Sequence, residues 1–71
     1  MDRKIVVYGK EACPFTKKAR EVYVRRGYTV EYIDVMENEA SLENMLVYSK
    51  GERVVPVIVE GDSVSIGFGG T

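Results

Sequence analysis

An α/β fold is predicted for this chain: one four-stranded sheet, parallel in one half and antiparallel in the other, with one helix on each face. Three observations predict it. A β-branched apolar run, an amphipathic stretch and a second β-branched run follow one another within about thirty residues, the pattern of a βαβ unit. A second helical pattern comes next, and two further apolar runs then flank Gly61-Asp62.

Lys4-Ile5-Val6-Val7-Tyr8 is rich in β-branched residues, lacks clean alternation and stops at Gly9, which predicts a strand (β1) buried on both faces. Pro14 suits a first helical position. After it, Phe15, Ala19, Val22 and Tyr23 recur at spacings of three and four, with Lys17, Lys18, Arg20 and Glu21 between them. This is an amphipathic helix (α1) ending near Gly27. Thr29 to Val35 returns to β-branched and aromatic residues as a second strand (β2), parallel to the first through a right-handed crossover. Asn38 is placed to cap a second helix (α2), which sets Leu42, Met45 and Leu46 on one face and stops at Gly51. Val54 to Glu60 (β3) and Ser63 to Phe68 (β4) are separated by Gly61-Asp62, a pair suited to a tight hairpin turn. Pro56 interrupts β3 and marks an edge or a special backbone, because proline donates no ladder hydrogen bond. One explanation is a cis Val55–Pro56 bond.

A chain of 71 residues has room for one domain, residues 1–71. With 45% apolar and 30% charged residues it has the composition of an ordinary globule rather than a disordered chain. A net charge of −1 lacks the basic excess of a nucleic-acid binder, and the apolar runs are too short for a membrane span. Neither nucleic acid nor a membrane is therefore an expected partner. One cysteine and no histidine leave no internal disulfide and no zinc ligand set, so no metal is expected and the core alone must hold the fold. Met1-Asp2-Arg3-Lys4 leads into β1 without a leader-like apolar region, and a lone thiol suits a reducing compartment, so a cytoplasmic location is expected.

Cys13 follows a buried strand and stands at the mouth of α1, where the unsatisfied amides of the first turn favour a thiolate. Lys10 and Lys17 are near in sequence, and Thr16 can offer its hydroxyl to the sulfur. The thiol is expected to be at least partly exposed and more acidic than a free cysteine. The alternative is a cysteine that only packs as a small hydrophobe. Tyr8, Tyr28 and Tyr32 read as strand or packing residues, and the glycines around Phe68 could present backbone amides to an anion or form a flexible end.

Five segments taken in order resemble the glutaredoxin family of the thioredoxin superfamily. They are Tyr8-Gly9-Lys10, Cys13-Pro14-Phe15-Thr16, Tyr32-Ile33-Asp34-Val35, Val54-Val55-Pro56 and Ile66-Gly67-Phe68-Gly69-Gly70. The resemblance spans nearly the whole chain. It implies a thioredoxin-like fold with strand order β2-β1-β3-β4, a cis Val55–Pro56 bond and a glutathione-linked activity, with glutathione as co-substrate. Position by position, it implies that Cys13 is the nucleophile, tuned by Thr16, and that Lys10 meets the glycyl carboxylate of glutathione. Phe15 would border the tripeptide. The backbone of Val55, before Pro56, would pair with the cysteinyl unit, and the amides of Gly69 and Gly70 would receive the γ-glutamyl carboxylate.

Three departures shape what carries over. Thr16 replaces the second cysteine of the dithiol Cys-Pro-Tyr-Cys pattern, which closes the intramolecular disulfide route. Pro14 stands where iron–sulfur monothiol members, with Cys-Gly-Phe-Ser, have glycine, so the motif is more similar to short relatives with Cys-x-x-Thr, some of which carry selenocysteine. The family's third helix and C-terminal aspartate are missing from the sequence, and the expectation is of an apolar patch on the hairpin, drawn from Val57, Val59, Val64 and Ile66, that meets a second copy or a following segment.

The expected function is that of a monothiol glutaredoxin-like thiol-disulfide oxidoreductase, reducing glutathione mixed disulfides of proteins through Cys13. Its partners would be glutathione and glutathionylated or disulfide-bonded proteins, with a homodimer possible. The alternatives are a glutathione-dependent [2Fe-2S] cluster carrier, a thiol peroxidase-like relative of selenocysteine proteins whose Cys13 passes through a sulfenic acid, and a structural relic with an inert thiol.

Overall fold

The computed structural model describes residues 3–68. The elements run β1 Arg3–Gly9, α1 Pro14–Arg25, β2 Tyr28–Asp34, α2 Glu39–Ser49, β3 Val57–Glu60 and β4 Ser63–Ile66. They form one sheet in the order β2-β1-β3-β4, with β1 and β2 parallel and β3 antiparallel to both β1 and β4. No helix among the described residues is long and apolar enough to cross a membrane.

The central strand serves both faces, as its unbroken apolar run requires. Ile5 and Val7 join Ala19 and Ile58 beneath α1, while Tyr8 joins Val35, Met45, Val57 and Val59 beneath α2. Helix α1 turns its predicted stripe inward at Ala19, Val22 and Tyr23 but not at Phe15. Thr16 and Ala19 are its buried residues, whereas Phe15 is 36% exposed. The apolar count placed Phe15 on the inner face because a buried threonine carries no hydrophobic signal. Helix α2 follows its pattern, with Leu42, Met45 and Leu46 all in the second cluster. The Asn38 side chain accepts from the Ala40 amide at 2.7 Å, satisfying one of the donors a helix start leaves free.

The closing strands are shorter than the apolar runs. β3 begins at Val57, directly after the cis Val55–Pro56 peptide, and Val54 to Pro56 lie outside the ladder. β4 ends at Ile66, where Gly67 takes a positive φ of 85°. Between them Gly61, with φ 57°, supplies the first residue of a two-residue turn, as a II′ hairpin requires.

The register corrects the expected hairpin patch. Val57 pairs with Ile66 and Val59 with Val64, and Val57 and Val59 belong to the cluster under α2. All four side chains therefore lie on the α2 side, because directly paired residues share a face. On the α1 side the hairpin presents Ile58 opposite Ser65 and Glu60 opposite Ser63. Ile58 is only 3% exposed, with Phe68 packed against its cluster, so no valine patch opens there.

Candidate active site around Cys13

β1 delivers the chain to the carboxyl end of the sheet, the position at which open α/β sheets place their sites. A tight turn follows Gly9, in which the Cys13 amide donates to the Lys10 carbonyl at 3.1 Å. Cys13 then takes an extended conformation (φ −90°, ψ 114°) as the cap of α1, and its carbonyl accepts from Lys17 N at 3.3 Å. Pro14, at the first helical position, has no N–H to leave unpaired.

The Cys13 residue is 8% exposed, so it is buried rather than partly exposed as the sequence suggested. Burial pushes the thiol up, but the Thr16 hydroxyl, the amides of Thr16 and Phe15, and the Lys10 charge together outweigh it, and the thiol lies below its ordinary value. The neutral thiol makes no capping hydrogen bond of normal geometry. The favourable effect is on the thiolate, whose full charge attracts donors that a thiol barely engages. Lys17 is not among the groups that shift it.

Thr16 is 1% exposed, and its Oγ1 has no hydrogen-bond partner among the described residues. Its side chain rests on Gly9. A Cβ at Gly9 would overlap Thr16 Cγ2 and come within 2.5 Å of Oγ1. Gly9 is therefore a site residue that sequence reasoning read only as a strand stop. Its signal would have been a glycine at the sheet end that faces a helix's first turn.

Pro56 comes to the same end of the sheet. Tyr8 pairs with Val57, which sets the cis Val55–Pro56 peptide alongside Gly9. The Pro56 carbonyl accepts from Gly67 N at 2.7 Å, so the residues after β4 are tied to the same corner. Val55 is half-buried and packs against the α2-side cluster, Lys10 is half-buried with no ion-pair partner among the described residues, and Phe15 stands exposed beside Cys13. The structure thus groups Cys13, Thr16, Lys10, Phe15 and Pro56 around one corner. Gly69 and Gly70 lie outside the described residues.

A buried thiol at a helix start, at the same end of a β2-β1-β3-β4 sheet as a cis-proline, is the arrangement of the thiol oxidoreductase class of the thioredoxin-like fold. The glutaredoxin family model matches residues 5–64, and the chain belongs to the glutaredoxin family. No curated protein matches it. Among solved structures it is similar to the glutaredoxin grx-1 of Archaeoglobus fulgidus, at 30% identity and TM-score 0.76, covering 94% of this chain and 77% of that one. It is also similar to the glutaredoxin-like NrdH-redoxin of Escherichia coli, described by its thioredoxin-like activity profile, at 26% identity and TM-score 0.79, covering 93% and 84%. A buckwheat glutaredoxin–glutathione complex shares the fold at 20% identity and TM-score 0.73, over 89% of this chain and 59% of that one.

Proposed function

We propose that this protein is a cytosolic monothiol oxidoreductase that reduces glutathione mixed disulfides of proteins through Cys13, with glutathione as co-substrate. The observation that carries the reading is the acidified Cys13 thiol with Thr16, rather than a second thiol, buried one turn along α1. The Cys13 thiolate attacks the glutathione sulfur of a protein mixed disulfide. The new bond joins Cys13 to glutathione, the old disulfide breaks, and the protein leaves as a thiolate that takes a proton from water. A second glutathione thiolate then attacks the glutathione sulfur on Cys13, giving oxidised glutathione and the free Cys13 thiolate. Each step needs one protein cysteine. Lys10, which makes no ion pair with a described residue, and the corner beside Pro56 support the binding of a tripeptide carboxylate and backbone.

The test is turnover of a glutathionylated peptide, with the Cys13–glutathione adduct followed by mass. Cys13→Ser is expected to abolish both adduct and turnover. Turnover by the serine variant at a rate near that of the native chain would place the chemistry elsewhere. Rates with glutathione are then compared with rates driven by a thioredoxin-type reductase, because the NrdH-redoxin likeness favours that donor as the second reading. Turnover with the reductase and none with glutathione would replace the first donor with the second.

A further inference from the structure

The strand order leaves β2 at an edge, and no strand among the described residues pairs with its outer side. Between that edge and α1 runs a groove of about 450 Å³ lined by Lys17, Arg20, Glu21, Val24, Arg25, Val30 and Tyr32. Its floor is apolar, and Val24 is 60% exposed between charged neighbours on α1. Three cations and one carboxylate rim it, in a chain whose net charge is −1. Lys17 and Arg25 make no ion pair with a described residue, and Glu21 between them makes none either. Arg20 lies over the Tyr32 ring at 4.1 Å and reaches Glu11 only at 3.9 Å, at the exposed end of the groove.

We infer that this groove docks an extended acidic segment of a protein partner, added as a strand to the free edge of β2. Edge strands carry unpaired backbone donors and acceptors that an incoming strand satisfies, while pockets read its alternate side chains. Lys17 and Arg25 stand eight residues apart on α1, about 12 Å along the helix axis. Two side chains four residues apart on one face of a strand are separated by about 13 Å. The partner that fits therefore carries acidic residues at positions i and i+4, with an apolar residue at i+2 over Val24 and Val30. Glu21, midway between the two cations, repels an acid at that central position. The Lys17 amide bonds the Cys13 carbonyl, so one end of the docked segment lies a single helical turn from the thiol. This identity of the partner, a protein carrying the mixed disulfide, rests on the function proposed above; the docking does not.

The experiment is an NMR titration of the full chain with a blocked peptide Thr-Glu-Thr-Val-Thr-Glu-Thr, and with its analogue bearing lysine in place of both glutamates. No redox step enters the readout, so a failed turnover assay leaves this test standing, and a failed titration leaves the activity standing. Saturable amide shifts over residues 29–33 and along α1 are expected with the acidic peptide. The double variant Lys17→Glu, Arg25→Glu should weaken its affinity by about tenfold or more. Equal binding of the lysine peptide, shifts centred away from β2, or no shifts at millimolar peptide would overturn the inference.

Discussion

The two faces of the sheet are built from different materials. Under α2, Tyr8, Val35, Met45, Val57 and Val59 form an almost wholly aliphatic cluster, flanked by Leu42 and Leu46. Under α1, Ile5, Val7, Ala19 and Ile58 form the buried cluster, flanked by Val30 and by the aromatic rings of Tyr23, Tyr28, Tyr32 and Phe68, and the helix also buries Thr16. Among the described residues, the two buried side-chain oxygens without partners, Thr16 Oγ1 and Tyr32 Oη, both lie on the α1 side. Unpaired buried oxygens forfeit stability, and a well-packed aliphatic layer across the sheet offsets them. Both faces hold the fold, and the α1 face in addition keeps a hydroxyl poised beside a thiol.

That division is most exposed to test at Met45, which is 1% exposed at the centre of the α2 side. Met45→Ala should destabilise the protein by about 2–5 kcal/mol in urea unfolding. The pH profile of Cys13 alkylation should be unchanged, and a shifted profile would show that the two faces are coupled. Gly9→Ala strikes the other face, where the added methyl meets Thr16. A loss of about 1–3 kcal/mol is expected, because a tightly packed neighbour must move. Here the alkylation profile should move as well, which separates this variant from Met45→Ala even at equal stability.

Alkaline unfolding sharpens the contrast further. Burial, with Asp34 and Glu11 adding to it and Arg20 opposing, pushes the Tyr32 phenol from its ordinary 10.0 up to about 12. Between those two values the unfolded chain has released the proton while the folded chain still holds it, so stability falls as pH rises across that window. Tyr32→Phe should flatten this slope and leave stability near neutral pH undiminished, since it removes an unpartnered oxygen. An unaltered slope would transfer the effect to Tyr8, whose phenol is raised chiefly by its burial on the α2 side.

The smallest change is expected from Thr16→Val, which exchanges a partnerless hydroxyl for a methyl of similar size. Stability should not fall, while the Cys13 pKa should rise because the hydroxyl that lowers it is gone. The linkage has a definite sign. The folded thiol releases its proton below the ordinary 9.0, so it contributes stability that is present above that value and lost as pH falls through the lowered one. In Thr16→Val that increment shrinks. Iodoacetamide rates against pH measure the shift, and an unmoved inflection would leave the helix amides and Lys10 as the whole cause.

How much could be read in advance differs element by element. β1 was legible because an unbroken Ile5-Val6-Val7 run fits a strand buried on both faces, and α2 because Asn38 and the Leu42, Met45, Leu46 spacing mark a cap and a stripe. Cys13 at a helix start before Pro14 was legible for the same local reason, since capping and proline preference act over a single turn. The burial of Thr16 in place of Phe15 on α1 was not. Thr16 is buried only because β1 ends in Gly9 across from it, and no periodicity of apolar residues registers a threonine.

The chain's own residues determined the order of elements, the one available thiol and the family, because these follow from propensity, spacing and composition. Tertiary structure decided what depends on register and contact: that Val57, Val59, Val64 and Ile66 lie on the α2 side of the sheet, the first two buried and the last two exposed, and that the thiol lies under the surface. It also decided that Lys10 and not Lys17 acts on the thiol, and that β2 leaves a cation-rimmed groove beside α1. The physical reason is that a strand's alternation fixes which residues share a face but not which face that is. Only the pairing of β3 with β1, a contact between residues about fifty apart in the chain, makes that choice, and the hairpin then carries it to β4.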